Sequence, residues 1–141
     1  MSTEFRQLLF ERKLLKARIT RQMVVKEIRA TEADLKDACD SLRRSKFKWA
    51  TIQAYYSMFH SARSLLYHRG YREKSHYALL VAVRELFPRE LGTGLITRFE
   101  DGMDLRQEAD YGLKFSEEGA LETVEGAEEF LEKAKEILKM K

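Results

Sequence analysis

The sequence predicts an all-α fold, an antiparallel helical bundle of four main helices and one short one, and three observations predict it. Apolar residues recur at steps of three and four through most of the chain, the spacing that the buried stripe of a helix requires. One proline and seven glycines in 141 residues leave few of the turn points that a succession of strands needs. Charged residues make up 35% of the chain, enough to cover the outer faces of helices. No apolar run approaches the roughly 20 residues of a bilayer span, so no membrane association is expected. The length is that of one domain with its own core, 1–141.

From Thr3 to Ile19, Phe5, Leu8, Leu15 and Ile19 mark one face of a basic helix, giving an N-terminal helical extension of about 1–20. Thr20 is placed to interrupt it or to cap the next helix. Val24, Ile28, Leu35, Ala38 and Leu42 then define a helix from Val24 to Arg44, followed by a basic turn to Lys48. In Phe47 to Arg69, Ile52, Tyr55, Tyr56, Phe59, Ala62 and Leu66 spread apolar surface around most of the circumference, which places this helix at the centre of the bundle. With few spare elements to cover it, burial between two subunits of a homodimer is expected.

One thin stripe of that helix is polar. Gln53, Ser57, His60 and Ser64 stand at steps of four, three and four, one above another on a single face. The spacing suits a hydrogen-bonded seam against a neighbouring helix, and the wall of a cleft is the competing reading for His60.

Gly70 supplies the left-handed residue that ends the helix, and Tyr71 to Lys74 connect it to a short helix, 76–87, that stops at Pro88. Arg69, Arg72, Lys74 and His76 are thereby concentrated at one corner. Leu95, Phe99 and Met103 carry the next helix, Leu91 to Tyr111, with Arg106 and Asp110 spaced as an i,i+4 pair and Gly112 at its end. Ser116 followed by Glu117 and Glu118 opens the last one, Glu117 to Lys139, because the hydroxyl caps a free N–H and the carboxylates oppose the positive end of the helix dipole.

The net charge of +3 conceals a polarity along the chain: residues 1–50 carry +6, residues 51–99 carry +4 and residues 100–141 carry −7. Basic helices beside acidic ones account for this through solvated faces or pairing. A basic surface turned toward nucleic acid or a nucleotide is the sharper, competing reading. Cys39 has no cysteine to pair with, and no segment reads as a secretory leader, so a cytoplasmic setting is expected. His60, His68 and His76 lack zinc-ligand spacing, and neither metal nor cofactor is expected.

Three blocks, AYYSMFHSARSLL at 54–66, GYREKSH at 70–76 and LRQEADYG at 105–112, resemble in order the HEPN family, helical domains named for higher eukaryotes and prokaryotes nucleotide-binding. The likeness is to its small stand-alone prokaryotic branch and covers about the C-terminal two thirds of the chain. It implies a HEPN-like bundle and, in the ribonuclease members, an arginine and a histidine separated by four to six residues. Arg69 and His76 have six residues between them and fit; Arg72 and His76 have three and do not. The resemblance therefore implies Arg69 and His76 as catalytic residues of a metal-independent endoribonuclease, with Arg72, Lys74, Tyr77 and His60 as RNA- or nucleotide-binding residues around them. The chemistry is attack of an RNA 2′-oxygen on the adjacent phosphate, a base removing the proton and an arginine stabilising the developing charge.

The resemblance also implies a homodimer whose two Arg/His elements share one cleft, and a toxin role opposed by a minimal nucleotidyltransferase antitoxin. In some members that partner modifies a tyrosine two places after the histidine; position 78 here is alanine, and the nearby tyrosine is Tyr77. A non-catalytic nucleotide-binding or accessory subunit of such a pair is the alternative reading. For His76 the structural reading is packing on the apolar face of its helix, and for Arg106, Glu108 and Asp110 it is a set of ion pairs.

Overall fold

A computed structural model describes all 141 residues, Met1–Lys141. The elements are α1 (Thr3–Phe10), β1 (Leu14–Lys16), α2 (Arg21–Arg43), α3 (Phe47–His68), β2 (Tyr71–Glu73), α4 (His76–Leu86), α5 (Pro88–Asp110) and α6 (Glu117–Leu138). Four of the helices begin where a hydroxyl takes up a free backbone N–H. Ser2 accepts from Phe5, Thr20 from Met23, Ser75 from Ala78 and Ser116 from Gly119. Each such cap stabilises its helix by about 1 kcal/mol.

Helix α3 is the axis of the bundle, packed against α2, α4, α5, α6 and β2. Fourteen of its 22 residues are buried, among them Tyr55, Met58, Leu65 and Leu66 with no accessible surface. Its apolar circumference is thus covered within one chain, and the expectation that a second subunit is needed to bury it loses its reason. Helices α5 and α6 come close to α3 at Gly102 and Gly126, where an added Cβ would stand 2.6 Å and 3.5 Å from the Met58 side chain.

The N-terminus differs from the sequence reading. The expected basic helix from Thr3 to Ile19 ends at Phe10, and Leu14–Lys16 instead forms a strand antiparallel to Tyr71–Glu73. Pairing aligns Leu14 with Glu73, Leu15 with Arg72 and Lys16 with Tyr71, and it is extended by Ala17 N–H to Gly70 O and Lys74 N–H to Lys13 O, both 2.9 Å. Arg12, at φ +60°, breaks the helix, and the strand that follows buries Leu14 to 1% exposure in the same core as Phe5. The segment 71–74, read as a plain connector, is the partner strand. Gly70 takes the left-handed conformation expected of it, φ +83°.

In α5, Pro88 sits in the first turn and Gly92, at φ +80°, kinks the helix, so its regular course runs from the residues after Gly92. Its end falls at Asp110, and the left-handed residue of the following loop is Leu113, not Gly112.

Candidate functional site

His76 is the first residue of α4, fixed there by the Ser75 cap. Its Nδ1 lies 2.5 Å from the Tyr55 hydroxyl. Its ring stacks on Phe59 at 4.5 Å between centroids and 28° between planes, and it meets Tyr56 edge-on at 6.2 Å. Helix α3 thus presents three aromatic residues, one turn or less apart, to a single imidazole.

Two further charges reach this centre. Arg106 of α5 is 7% exposed, with its guanidinium over the rings of Tyr55, Tyr56 and Tyr111 at 5.3, 5.5 and 5.9 Å. It pairs with Asp110 at 3.7 Å, while its buried Nε has no partner. Glu73, on the inward side of β2, accepts from Arg63 Nε at 2.9 Å and Nη2 at 2.5 Å; its side chain is 4% exposed and its Oε1 is unpartnered. A protein interior seldom leaves buried polar atoms unmatched, and the two groups that carry these both act electrostatically on His76.

Burial in the first place, then the positive charges of Arg106 and Arg63, hold the His76 proton affinity below that of a free imidazole, against an opposing pull from Glu73. The ring is therefore neutral at pH 7. Burial likewise raises the Tyr55 phenol, Arg106 opposing, so Tyr55 keeps its proton.

Beyond Arg63 the polar stripe of α3 behaves as the seam its spacing suggested. Glu27 of α2 lies 3.7 Å from Arg63 and its other oxygen is 2.6 Å from His60 Nδ1; Asp34 stands 3.6 Å from His60 Nε2. Ser57 donates to Thr31 O at 3.0 Å, and Ser41 Oγ lies 2.7 Å from the Gln53 side-chain amide. Burial raises the Asp34 carboxyl, with His60 acting against it.

The other candidates fall in different places. Arg69 donates from Nη1 to Leu86 O at 3.3 Å and lies 5.2 Å over the Phe87 ring. Leu86 ends α4 and His76 begins it, ten residues or about 15 Å away along the axis, so one chain does not bring Arg69 and His76 together. Arg72 and Lys74 are exposed on and beside β2, Arg72 lying 6.0 Å over Tyr67. Tyr77, 49% exposed, donates its hydroxyl to Glu4 of α1 and so faces the N-terminal helix. His60 belongs to the α2–α3 seam. No three His, Cys, Asp or Glu side chains converge as a metal site would require.

The residues gathered around His76 come from the three sequence blocks: Tyr55, Tyr56, Phe59 and Arg63 from the first, Glu73 with His76 itself from the second, and Arg106 from the third. Spacing alone did not single out Tyr55, Glu73 or Arg106, which look like core, connector and ion-pair residues until α3, β2 and α5 are packed together. Residues 25–141 match the HEPN domain. The chain is also 31% identical over 112 residues to a UPF0332 protein of Archaeoglobus fulgidus, an alignment covering 77% of this chain and 89% of that protein. The chain belongs to the HEPN domain family, part of a superfamily of nucleotide-binding and ribonuclease-like helical domains. The match begins inside α2, leaving α1 and β1 outside it.

Proposed function

We propose that this chain is a metal-independent endoribonuclease of the HEPN type, acting as a homodimer, with His76 as its proton-transfer group. The observation that carries the reading is the set of contacts on His76: a neutral imidazole stacked on Phe59, held through Nδ1 by a phenol that keeps its proton. When Nδ1–H donates to the Tyr55 oxygen, Nε2 carries the lone pair and can take the proton of an RNA 2′-hydroxyl. The 2′-oxygen then attacks the adjacent phosphorus, the P–O bond to the 5′-oxygen breaks, and that oxygen leaves with a proton, giving a 2′,3′-cyclic phosphate and a 5′-hydroxyl.

The cations that act on His76 within one chain are Arg106 and Arg63, paired with Asp110 and Glu73. Arg69 can act on the same phosphate only from a second protomer, which is the argument for the homodimer in this reading. A toxin role with a minimal nucleotidyltransferase as antitoxin goes with it. One observation favours the second reading, a non-catalytic nucleotide-binding or accessory subunit of such a pair: Arg69 is committed to Leu86 and Phe87, away from His76.

The test is cleavage of labelled single-stranded RNA by wild type, His76→Ala and Arg69→Ala with EDTA present, at concentrations where light scattering reports a dimer. The expected result is cleavage that survives chelation, is abolished by His76→Ala with binding retained, and leaves cyclic-phosphate ends. Equal residual cleavage by wild type and His76→Ala ends the catalytic assignment. A monomer at every concentration ends the shared-site arrangement.

A further inference from the structure

We propose that the β1–β2 ribbon is a track for the RNA phosphate backbone, made jointly by the N-terminal segment outside the family match and the corner that leads into His76. It rests on the RNA reading above and adds to it the surface that holds the strand.

Arg12, Lys13, Lys16 and Arg18 come from the first strand and its flanks, Arg72 and Lys74 from the second, and all six are exposed. None has a carboxylate within ion-pair distance. The sequence supplies no acid from Arg12 to Lys26, and the one acid in 68–76, Glu73, is turned inward to Arg63. At the edge, Glu4 and Glu11 line one hollow with Lys13, Glu4 bound to Tyr77 and Arg84 and Glu11 accepting from Gln7 Nε2 at 3.3 Å, so the acidic border of the ribbon lies on the α1 side. Register places these cations on adjoining strands: Lys13 is tied to Lys74 by a 2.9 Å backbone bond, Arg72 lies across from Leu15, and Lys16, across from Tyr71, is exposed at the end of the ribbon.

Paired strands lie about 5 Å apart. Lys13 and Lys74, held that close, repel one another, a cost that a bound polyanion reverses. The ribbon points to the catalytic candidate, since Lys74 precedes His76 by two residues and the next strand residue inward, Glu73, borders it. Phe10, 83% exposed at the turn into β1, adds a face on which a base can stack.

The experiment measures binding of a short labelled single-stranded RNA by fluorescence anisotropy across a salt series, in a His76→Ala background so that the RNA stays intact. The variants are Lys13→Glu/Lys16→Glu/Arg72→Glu and, independently, Arg12→Glu/Arg18→Glu/Lys74→Glu. These positions are exposed, and the corresponding Gln triples replace any Glu triple whose circular dichroism melt is altered. The expected result is affinity at least tenfold weaker and a log K against log salt slope flatter by about 2 for each triple, three phosphate contacts being lost. Unchanged affinity and slope in both triples overturns the track while leaving the cleavage assay to judge His76. Loss of RNA binding in the triples of a protein that never cleaves RNA supports the track and removes only the nuclease reading. Parental protein that binds vesicles of phosphatidylcholine and phosphatidylserine but no RNA overturns it in favour of a membrane surface.

Discussion

Tyr55 and His76, 21 residues apart in sequence and on different helices, meet with the phenol oxygen 2.5 Å from the imidazole Nδ1. The contact joins the bundle axis to the first turn of α4 and leaves Nε2 as the ring nitrogen without a protein hydrogen bond. Tyr55 has no accessible surface while His76 is half-buried, so the bond is part-buried and its phenol end is out of reach of water. Replacing Tyr55 by Phe keeps the packing against Phe99 and removes the only hydroxyl that meets Nδ1. Leaving that nitrogen without its partner is expected to cost about 1–3 kcal/mol, read as a lower urea midpoint at unchanged m.

His76 also predicts a pH dependence. Its proton affinity in the folded chain is lowered from the ordinary value of 6.5, so between that value and the folded pKa the unfolded chain binds the proton that the folded chain does not. Stability therefore rises with pH through this window. The contribution is complete above about pH 6.5 and is lost as pH falls toward the folded pKa. Urea midpoints for wild type and His76→Gln from pH 7.5 to 5 are expected to diverge, the wild type losing stability more steeply. Parallel curves would show that the surroundings of His76 do not favour its neutral form.

Arg63 and Glu73 give a test of the buried pair. Arg63→Ala leaves a carboxylate that is 4% exposed with both oxygens unmatched, whereas Arg63 itself is 26% exposed and partly solvated. Breaking the pair is expected to cost roughly 3 kcal/mol, the lower end for a buried ion pair because of that partial solvation. The double variant Arg63→Met/Glu73→Gln should recover much of the loss, since no charge is then stranded. No coupling in the cycle of Arg63→Met, Glu73→Gln and their double variant would mean that solvent already satisfies Glu73.

Gly70 controls the corner from which β2 departs. Its φ of +83° is one an L side chain adopts at a cost, while an added Cβ would meet nothing closer than Ala17 O at 3.9 Å. Gly70→Ala is thus expected to destabilise through backbone strain alone, by about 1–2 kcal/mol, measured by thermal or urea unfolding. Gly94→Ala, within α5 at ordinary helical φ and with open space for its Cβ, should be neutral or stabilising.

Helices that repeat a buried stripe are legible along the chain, since the signal for each lies within a few residues of itself. Ser116 marked a start, and capping was one of two readings of Thr20, because a cap is a local bond between a side chain and a backbone N–H a few residues on; Gly70 marked a stop because only its own φ was at issue. The i,i+4 pair of Arg106 with Asp110 and the seam of Gln53, Ser57 and His60 were legible for the same reason, since helical periodicity fixes which residues share a face. Tertiary structure decided what depends on distant partners. Leu14–Lys16 is a strand because residues 71–73, far along the chain, supply its hydrogen bonds, and a stripe of Phe5, Leu8, Leu15 and Ile19 carries no trace of that pairing. It likewise decided that His76 keeps company with Tyr55, Arg106 and Glu73 while Arg69 is drawn to the far end of α4: a spacing along the chain counts residues, and whether a guanidinium and an imidazole meet depends on how the rigid helix between them is docked.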